Sequence, residues 1–381
     1  MILTVVCDVL GAENNGTTIA AMNLIRAMRE KGHTVRVVCP DEEQRGESDY
    51  YVVRPISFGL LDEYVKKNGV CIAEPDENTL RRAIEGADAV HVMTPFLLSA
   101  AAVRIAGELG IPVTAGFHCQ AENFTNHLRL MNARLVNRGL YKVFDRHVFS
   151  KCACIHYPTR FICDVFESET GRATNHRIIS NGVGKAFERR PSVRPAEFAD
   201  KFIVVYTGRY SREKSHSVLI DGVNLSKYRD GIQLVFAGAG PLREWLEKYS
   251  SALPNAPVFK FFSRSELVNL LNSADLYVHP AEIEIEAISC LEAISCGLVP
   301  LIADSPRSAT RYFARDERNL FKCNDAADLA AKLDYWIENP RERRLCSDGY
   351  LGYARRFDRD ACMDDMERML LDVVRSGREA V

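Results

Sequence analysis

Four carboxylates interrupt an otherwise apolar stretch of this chain, EIEIEAISCLEAISCGLVP at residues 282–300. Glu282, Glu284 and Glu286 alternate at its start, and Glu292 follows among apolar neighbours. Carboxylates that accept hydrogen bonds from two adjacent hydroxyl groups are suited to hold a sugar ring or a ribose. Because Glu284 and Glu292 can face the same cleft, the residue types and their spacing predict a site for a sugar nucleotide.

The alternative explanation for these acids is structural. Glutamates near a helix N-terminus are stabilised by the helix dipole, which accounts for Glu284 and Glu286 if the next helix begins at Ile288. It does not account for Glu292, which lies inside the predicted helix where an unpaired charge is costly. We therefore expect Glu292 to have a partner.

A basic turn follows another predicted strand, in KFIVVYTGRYSREKS. The strand is predicted to end at Thr207, and the turn then supplies Gly208, Arg209 and Lys214. Guanidinium and ammonium groups just past a strand end, with a glycine that lets the backbone approach, suit a phosphate or diphosphate. A solvated basic turn without a ligand is the alternative.

A second turn, FAGAGPLREW, contains Gly238 and Gly240 but no third glycine. A dinucleotide fingerprint has three glycines and an acid about twenty residues further on. The turn therefore does not supply what an NAD-type oxidoreductase would need. Close packing of strand against helix explains its two glycines equally well.

Strands and helices alternate along the whole chain, which predicts parallel, doubly wound sheets in an α/β protein. A length of 381 residues favours two domains, and the alternation restarts at KFIVVYTGRY after the polar segment ERRPSVRPAEFAD. Ligands of such sheets bind at the carboxyl ends of the strands. The acidic loop and the basic turn are both predicted to lie there.

The overall composition is that of an ordinary soluble protein, with 47% hydrophobic and 26% charged residues. No segment approaches the roughly 18 apolar residues that a membrane-spanning helix needs, and the N-terminal MILTVVCDVL is more typical of a buried strand than of a signal peptide. The formal net charge of -2 argues against a globally basic nucleic-acid-binding protein. We expect the protein to be cytoplasmic.

Residues 126–151 are locally basic, with six Lys or Arg and one acid. If the segment is helical, basic residues recur every four positions as a stripe, at Arg134, Arg138, Lys142 and Arg146. Apolar surface beside it is expected from Leu128, Met131, Leu135, Leu140 and Phe144. Such a face suits an anionic lipid surface. An ordinary surface helix with solvated charges is the alternative.

Together these motifs resemble glycosyltransferase family 4, which are retaining enzymes of the GT-B fold. Glu284 to Glu292 resembles the family's signature of two glutamates separated by seven residues, and EAISCGLVPLIADS follows it. The likeness covers nearly the whole chain and includes Asn15, Gly16 and Thr17 in the first turn, GHTVRVV at 32–38, IPVTAGFH ending at His118, SNGV at 180–183, TGR with Lys214, AGAGPL, SADLYVHP and a C-terminal crossover helix.

The resemblance implies two Rossmann-like domains facing a central cleft. The first comprises residues 1–185, completed by a helix at 360–381, and the second comprises residues 186–359. The first would lie on the acceptor side and the second would bind the nucleotide sugar.

The resemblance also implies roles for individual residues. Arg209 and Lys214 would bind the donor diphosphate, Glu292 the ribose and Glu284 the donor sugar, with His118 near the anomeric carbon. His118, Arg209, Lys214 and Glu284 are therefore the candidate catalytic residues. Further candidate donor contacts are Gly16, Gly208, Gly238, Phe262, Ser263, Arg264, Glu286, Ala287 and Ile288.

The chain departs from the family pattern at Ile285, Glu286 and Ala287, where Gly-Phe-Gly is usual. Its backbone near the donor phosphates is therefore less free than glycine would make it. An inactive module that only binds sugar nucleotides is an alternative for this reason.

The residues at 126–151 and 307–321 look most like the bacterial branch that glucosylates diacylglycerol. We therefore expect transfer of a hexose, glucose first of all, from a UDP-sugar to a membrane lipid such as diacylglycerol, with retention and without a metal or other cofactor. The enzyme would associate peripherally with the inner face of the cell membrane. A soluble or polysaccharide-linked acceptor is the alternative.

Overall fold

The computed structural model describes residues 1–10, 16–57, 59, 72–126 and 130–379. It divides into an N-terminal unit, Met1–Asn181 with Asp360–Val381, and a C-terminal unit, Gly182–Arg359. Asn15 of the predicted first turn and Leu128 of the predicted basic segment lie outside the described residues.

The N-terminal unit contains a seven-stranded sheet in which all neighbouring strands are parallel. The strand order is β3-β2-β1-β4-β5-β6-β7. The central strands are buried and mostly apolar, as expected for parallel strands covered on both faces. The strands are β1 (Ile2–Val6), β2 (Thr34–Cys39), β3 (Tyr50–Val52), β4 (Ala89–Val92), β5 (Val113–Gly116), β6 (Cys154–Tyr157) and β7 (His176–Ile178).

Helices follow most of these strands, and their ends show ordinary capping. Asp76 accepts a hydrogen bond from the N–H of Thr79 at 2.6 Å, which starts one helix, and Gly171 ends another with a left-handed φ of 75°. The helices are α1 (Gly16–Glu30), α2 (Glu77–Ile84), α3 (Leu97–Glu108), α4 (Ala121–Asn126), α5 (Arg134–His147) and α6 (Arg160–Thr170).

The C-terminal unit contains a six-stranded parallel sheet with the order β10-β9-β8-β11-β12-β13. Its strands are β8 (Phe202–Thr207), β9 (Ile232–Ala237), β10 (Val258–Lys260), β11 (Leu276–His279), β12 (Pro300–Asp304) and β13 (Leu320–Lys322). Its helices are α7 (His216–Leu225), α8 (Arg243–Tyr249), α9 (Arg264–Ser273), α10 (Ile288–Ser295), α11 (Ala326–Glu338) and α12 (Pro340–Ala354).

The last helix, α13 (Arg359–Glu379), returns to the N-terminal unit. Met363, Met366 and Leu370 are buried in the same core as β1 and α1. Glu367 accepts from His33 Nε2 at 2.6 Å and pairs with Lys31 at 3.0 Å. The unit therefore takes its core from both ends of the chain.

The predicted fold class, two parallel-sheet Rossmann-like α/β domains, is confirmed. Among the helices that can be described, none combines the length and the apolar character needed to cross a membrane.

Candidate functional site

Two glycine turns meet at the carboxyl ends of β8 and β9. β8 ends at Thr207, as predicted, and Gly208 then packs against Gly238, which follows β9. A Cβ added to Gly238 would lie 2.0 Å from the carbonyl oxygen of Gly208, so no side chain fits there. Close packing thus explains why residue 238 is a glycine. Contact of Gly208 or Gly238 with the nucleotide-sugar donor stays a prediction.

Lys214 and Glu284 form an ion pair across 70 residues of sequence. Lys214 lies in the turn after β8, and Glu284 lies in the loop after β11. The backbones of these loops are also joined, because the N–H of Glu282 donates to the carbonyl of Glu213 at 2.9 Å. Burial alone would raise the pKa of Glu284, but Lys214 and His279 lower it to about 2. The carboxylate is therefore ionised at neutral pH.

His279 is a site residue that the sequence interpretation missed. It ends β11, has no solvent exposure, and its Nε2 lies 3.2 Å from Oε1 of Glu284. In the sequence it appears only as part of the motif SADLYVHP. A polar side chain at the carboxyl end of a buried strand was the available signal, since ligands of such sheets bind there.

Arg209 lies beside Glu213 in the basic turn. Its Nη2 donates to Oε1 of Glu213 at 3.1 Å, and the hydroxyl of Ser211 donates to the same oxygen at 2.5 Å. Burial alone would raise the pKa of Glu213, but Arg209 and Lys214 hold it below its ordinary value. Arg209 and Lys214, which are 25% and 19% exposed, therefore each lie beside an ionised carboxylate.

Glu292 is partly exposed on α10, and the expectation that it has a partner stays a prediction. No hydrogen bond or ion pair joins its carboxylate to any of the fully described residues 182–359. Burial raises its pKa to about 8, and the charge of Arg264 offsets only part of this effect. A partly buried carboxyl group without a partner is costly to the fold. It is a group that a ligand's hydroxyls can satisfy.

The helix that carries Glu292 starts at Ile288, as predicted, from an unusual residue. Ala287 has a φ of 61°, in the left-handed region that costs alanine about 1 kcal/mol relative to glycine. The family pattern has a glycine at this position, and a glycine adopts this conformation without that cost. Glu286 is only 3% exposed. The first N–H groups of the helix have no helical acceptor and can bind an anion.

The turn at residues 262–264, which supplies three candidate donor contacts, is largely engaged in capping α9. The hydroxyl of Ser263 accepts from the N–H of Glu266 at 3.4 Å, and the carboxylate of Glu266 accepts from the N–H of Ser263 at 2.8 Å. Lys260 Nζ lies 4.9 Å from the ring centroid of Phe262, and the Arg264 guanidinium lies 5.5 Å from that of Phe187. The donor contacts of Phe262, Ser263 and Arg264 stay predictions.

His118 lies in the N-terminal unit just past β5, near two other histidines. Its ring centroid lies 5.7 Å from that of His156, and burial, aided by His156 and His91, holds its pKa well below the ordinary value. A neutral imidazole can donate or accept a hydrogen bond. Thr17, next to Gly16 at the start of α1, donates its hydroxyl to the carbonyl of His118 at 3.4 Å. The roles implied for His118 and Gly16 stay predictions.

Helix α5 has the exposed basic stripe that the sequence predicts. The side chains of Arg134, Arg138, Lys142 and Arg146 are all exposed. The opposite face, which includes Tyr141, packs into the core. We call these four cations the basic stripe.

The apolar residues beside the basic stripe differ in part from those predicted. Phe144, predicted to supply apolar surface, is 4% exposed and packs edge-on to Phe96 with ring centroids 6.3 Å apart. Leu135, also predicted, is 83% exposed, and it is joined by Val136 and Val143, which are 46% and 50% exposed. Tyr141, on the same side of the helix, packs against Phe117 and against Phe166 of α6, with ring centroids 6.5 and 6.2 Å apart.

One group in the described chain brings three possible metal ligands within 4.8 Å: Cys163, Glu167 and His176. Glu167 Oε1 already accepts from both the N–H and the hydroxyl of Thr174 at 2.7 Å. The guanidinium of Arg160 lies 3.3 Å from His176 Nε2 and would repel a cation. These contacts give the group a structural explanation.

Family comparisons match both halves of the chain. The description "Glycosyltransferase Family 4" matches residues 14–186, and "Glycosyl transferases group 1" matches residues 189–349. With two parallel-sheet Rossmann-like domains, these matches define a glycosyltransferase of the GT-B fold. The N-terminal match is to a glycosyltransferase family 4 domain and the C-terminal match to a group 1 glycosyl transferase domain.

Relatives with named activities are distant in sequence. An alpha-monoglucosyldiacylglycerol synthase of Streptococcus pneumoniae is 22% identical over 312 residues, which cover 76% of this chain and 68% of that protein. A GDP-mannose-dependent alpha-mannosyltransferase of Corynebacterium glutamicum is 24% identical, over 89% of this chain and 81% of its own.

Solved structures support the fold. HepE of Anabaena, crystallised with UDP and glucose, has a TM-score of 0.75 and 16% identity over 98% of this chain and 100% of its own. At that identity the likeness concerns the fold alone. The catalytic domain of the Helicobacter pylori cholesterol-alpha-glucosyltransferase is 48% identical over 40% of this chain and 96% of its own, but the TM-score of 0.39 is too low for an inference.

Proposed function

We propose that this glycosyltransferase transfers a hexose, glucose first of all, from a UDP-sugar to a membrane lipid such as diacylglycerol, with retention of configuration and without a metal ion. The observation that carries the proposal is the pairing of Lys214 with Glu284, beside Arg209, at neighbouring strand ends of the C-terminal unit. These groups have opposite charges and partial exposure, which suits the two ends of an activated sugar.

The cations supply the chemistry at the leaving group. When the bond from the anomeric carbon to the diphosphate oxygen breaks, negative charge grows on the diphosphate, and preorganised cations at that point stabilise the transition state. Arg209 and Lys214 take this role in the proposal. The acceptor hydroxyl attacks from the face that the diphosphate leaves, and a diphosphate oxygen takes its proton. The configuration at the anomeric carbon is thereby retained.

The two glutamates hold the remainder of the donor. Glu284 is ionised and accepts hydrogen bonds from hydroxyls of the sugar. Glu292, which has no partner in the described residues 182–359, accepts from the hydroxyls of the ribose. Its elevated pKa falls when these donors bind, because hydrogen bonds to a carboxylate favour the charged form.

Release of free nucleotide from a panel of UDP- and GDP-sugars, with and without lipid extract, tests the donor. We expect release from UDP-glucose that increases when lipid is added. Lys214→Ala should lower turnover about 10²–10³-fold, which is the usual effect of removing one group that stabilises transition-state charge. The control variant Lys248→Ala, at an exposed lysine of α8, should leave turnover unchanged. A preference for GDP-mannose would show that the donor is not UDP-glucose. Near-normal activity of Lys214→Ala would refute the proposed role of Lys214 at the diphosphate.

The acceptor is tested separately with purified acceptors. The panel contains diacylglycerol, cholesterol and a soluble oligosaccharide, and transfer is followed with labelled sugar. The relatives that act on diacylglycerol and the basic stripe of α5 support a lipid acceptor. Transfer only to the oligosaccharide would refute it.

Binding to a membrane is the third part of the proposal. The basic stripe and the exposed Leu135, Val136 and Val143 form a face that suits anionic headgroups and the acyl boundary. Each cation near such a surface contributes about 1 kcal/mol, so Arg138→Gln with Lys142→Gln should weaken binding to phosphatidylglycerol vesicles about 30-fold. Arg341→Gln with Arg344→Gln, exposed on α12, is the matched control. Equal vesicle binding by both double variants would refute this part.

A further inference from the structure

Three side chains in the C-terminal unit form a buried chain of hydrogen bonds that ends at Glu284. Tyr277 and His279 are two residues apart on β11, and both are fully buried. The hydroxyl of Tyr277 lies 3.3 Å from His279 Nδ1, and His279 Nε2 lies 3.2 Å from Oε1 of Glu284. The middle of this chain is thus closed to solvent.

The neighbours of His279 determine which ring nitrogen has the proton. Burial holds the pKa of His279 below its ordinary value, so the ring is neutral at pH 7, although Glu284 acts in the opposite direction. Because Glu284 is ionised and can only accept, Nε2 must carry the proton and donate to it. Nδ1 is then the acceptor, and the hydroxyl of Tyr277 is the donor that fits it.

The two oxygens of Glu284 have different surroundings. Oε1 accepts hydrogen bonds from both Lys214 Nζ and His279 Nε2. Across the part of the chain that the structure describes, no group donates to Oε2. The carboxylate is therefore held by one oxygen, and its other oxygen is open to a hydroxyl of a ligand.

Lys214 alone is a poor means of holding this carboxylate in a donor complex. An ammonium group on a flexible stem will turn toward a diphosphate, which has more charge than a carboxylate. His279 has no such freedom, because its ring is enclosed by Tyr206, with ring centroids 5.5 Å apart, and by Tyr277 at 6.0 Å.

We propose that His279 is a positioning residue that holds Glu284 toward the donor sugar while Lys214 moves from Glu284 to the donor diphosphate. This inference rests on the proposed function. His279 would act through Glu284 without contacting the donor. Its loss should therefore affect recognition of the sugar and leave recognition of the nucleotide intact.

Calorimetric titration with UDP and with UDP-glucose tests this separation. His279→Leu keeps a side chain of similar volume but removes the N–H group that donates a hydrogen bond to Glu284. His279→Gln places an amide N–H close to the position of Nε2. Hydrogen bonds to charged groups correspond to about 10–100-fold in affinity, so His279→Leu should weaken UDP-glucose binding by that factor and UDP binding by less than about twofold. His279→Gln should restore most of the loss. The proposal would be overturned if His279→Leu weakened the binding of UDP and UDP-glucose equally, or if it weakened the binding of neither.

A second measurement needs no ligand. Carboxyl carbons of glutamate are titrated by NMR in wild type, His279→Leu and His279→Gln. The pKa of Glu284 should rise in His279→Leu and return in His279→Gln, and an unchanged titration would overturn the coupling. If wild type binds no nucleotide sugar at all, the proposed function fails, but this titration still decides whether His279 controls Glu284.

Discussion

Replacing Glu292 with Gln should stabilise the C-terminal unit, and the gain should grow with pH. In the free protein burial raises the pKa of Glu292 from 4.5 to about 8. A carboxyl group whose pKa is higher in the folded state contributes stability below its unfolded pKa and loses that contribution as pH rises through the folded value. The wild type should therefore lose stability between pH 4.5 and pH 8, and the neutral amide should not.

The size of this effect follows from the two pKa values. At about 1.4 kcal/mol per pH unit, the difference between 4.5 and about 8 corresponds to an upper limit of ~5 kcal/mol. Glu292 is partly exposed, and solvent screening reduces this limit to about 2 kcal/mol. We expect the two proteins to be nearly equal at pH 4.5 and to differ by about 2 kcal/mol at pH 8.

Guanidinium unfolding followed by tryptophan fluorescence measures this difference. Trp245 and Trp336 are the two tryptophans of the chain, and both lie in the C-terminal unit, so the signal reports on the unit that holds Glu292. Glu244→Gln, at an exposed glutamate of α8, is the matched control. Parallel pH profiles for wild type and Glu292→Gln would refute the argument. The same variant should lose affinity for the donor, so stability and function should change in opposite directions.

Three further predictions concern backbone and buried charge. Gly238→Ala should destabilise the C-terminal unit by more than about 2 kcal/mol, because its Cβ would lie 2.0 Å from a backbone oxygen. Gly231→Ala is the control, because a Cβ there meets no atom within 4 Å. Urea unfolding compares the two variants. Ala287→Gly should raise unfolding free energy by about 0.5–1 kcal/mol by relieving the left-handed backbone, and a lower value would contradict this explanation. Burial raises the pKa of Asp8 to about 6, so the N-terminal unit should lose stability from pH 4 to 6, a loss that Asp8→Asn should abolish in thermal scans.

Much of the local structure could be predicted because it depends on nearby residues. The end of β8 at Thr207 and the start of α10 at Ile288 both follow from the boundary between an apolar run and a polar turn. The helical periodicity of residues 134–147 was equally visible. Which side of that helix faces the core was not, and Phe144 lies inside because neighbouring elements cover it.

The alternation of strands and helices, the acidic and basic motifs at strand ends and the resemblance to a family are all visible in local residue patterns. Three features of the site depend on contacts between distant residues: Lys214 pairs with Glu284, His279 contacts the same oxygen, and Glu292 has no partner in residues 182–359. These contacts follow from the strand order. β8 and β11 are neighbours although β9 and β10 lie between them in sequence, so their turns meet across 70 residues.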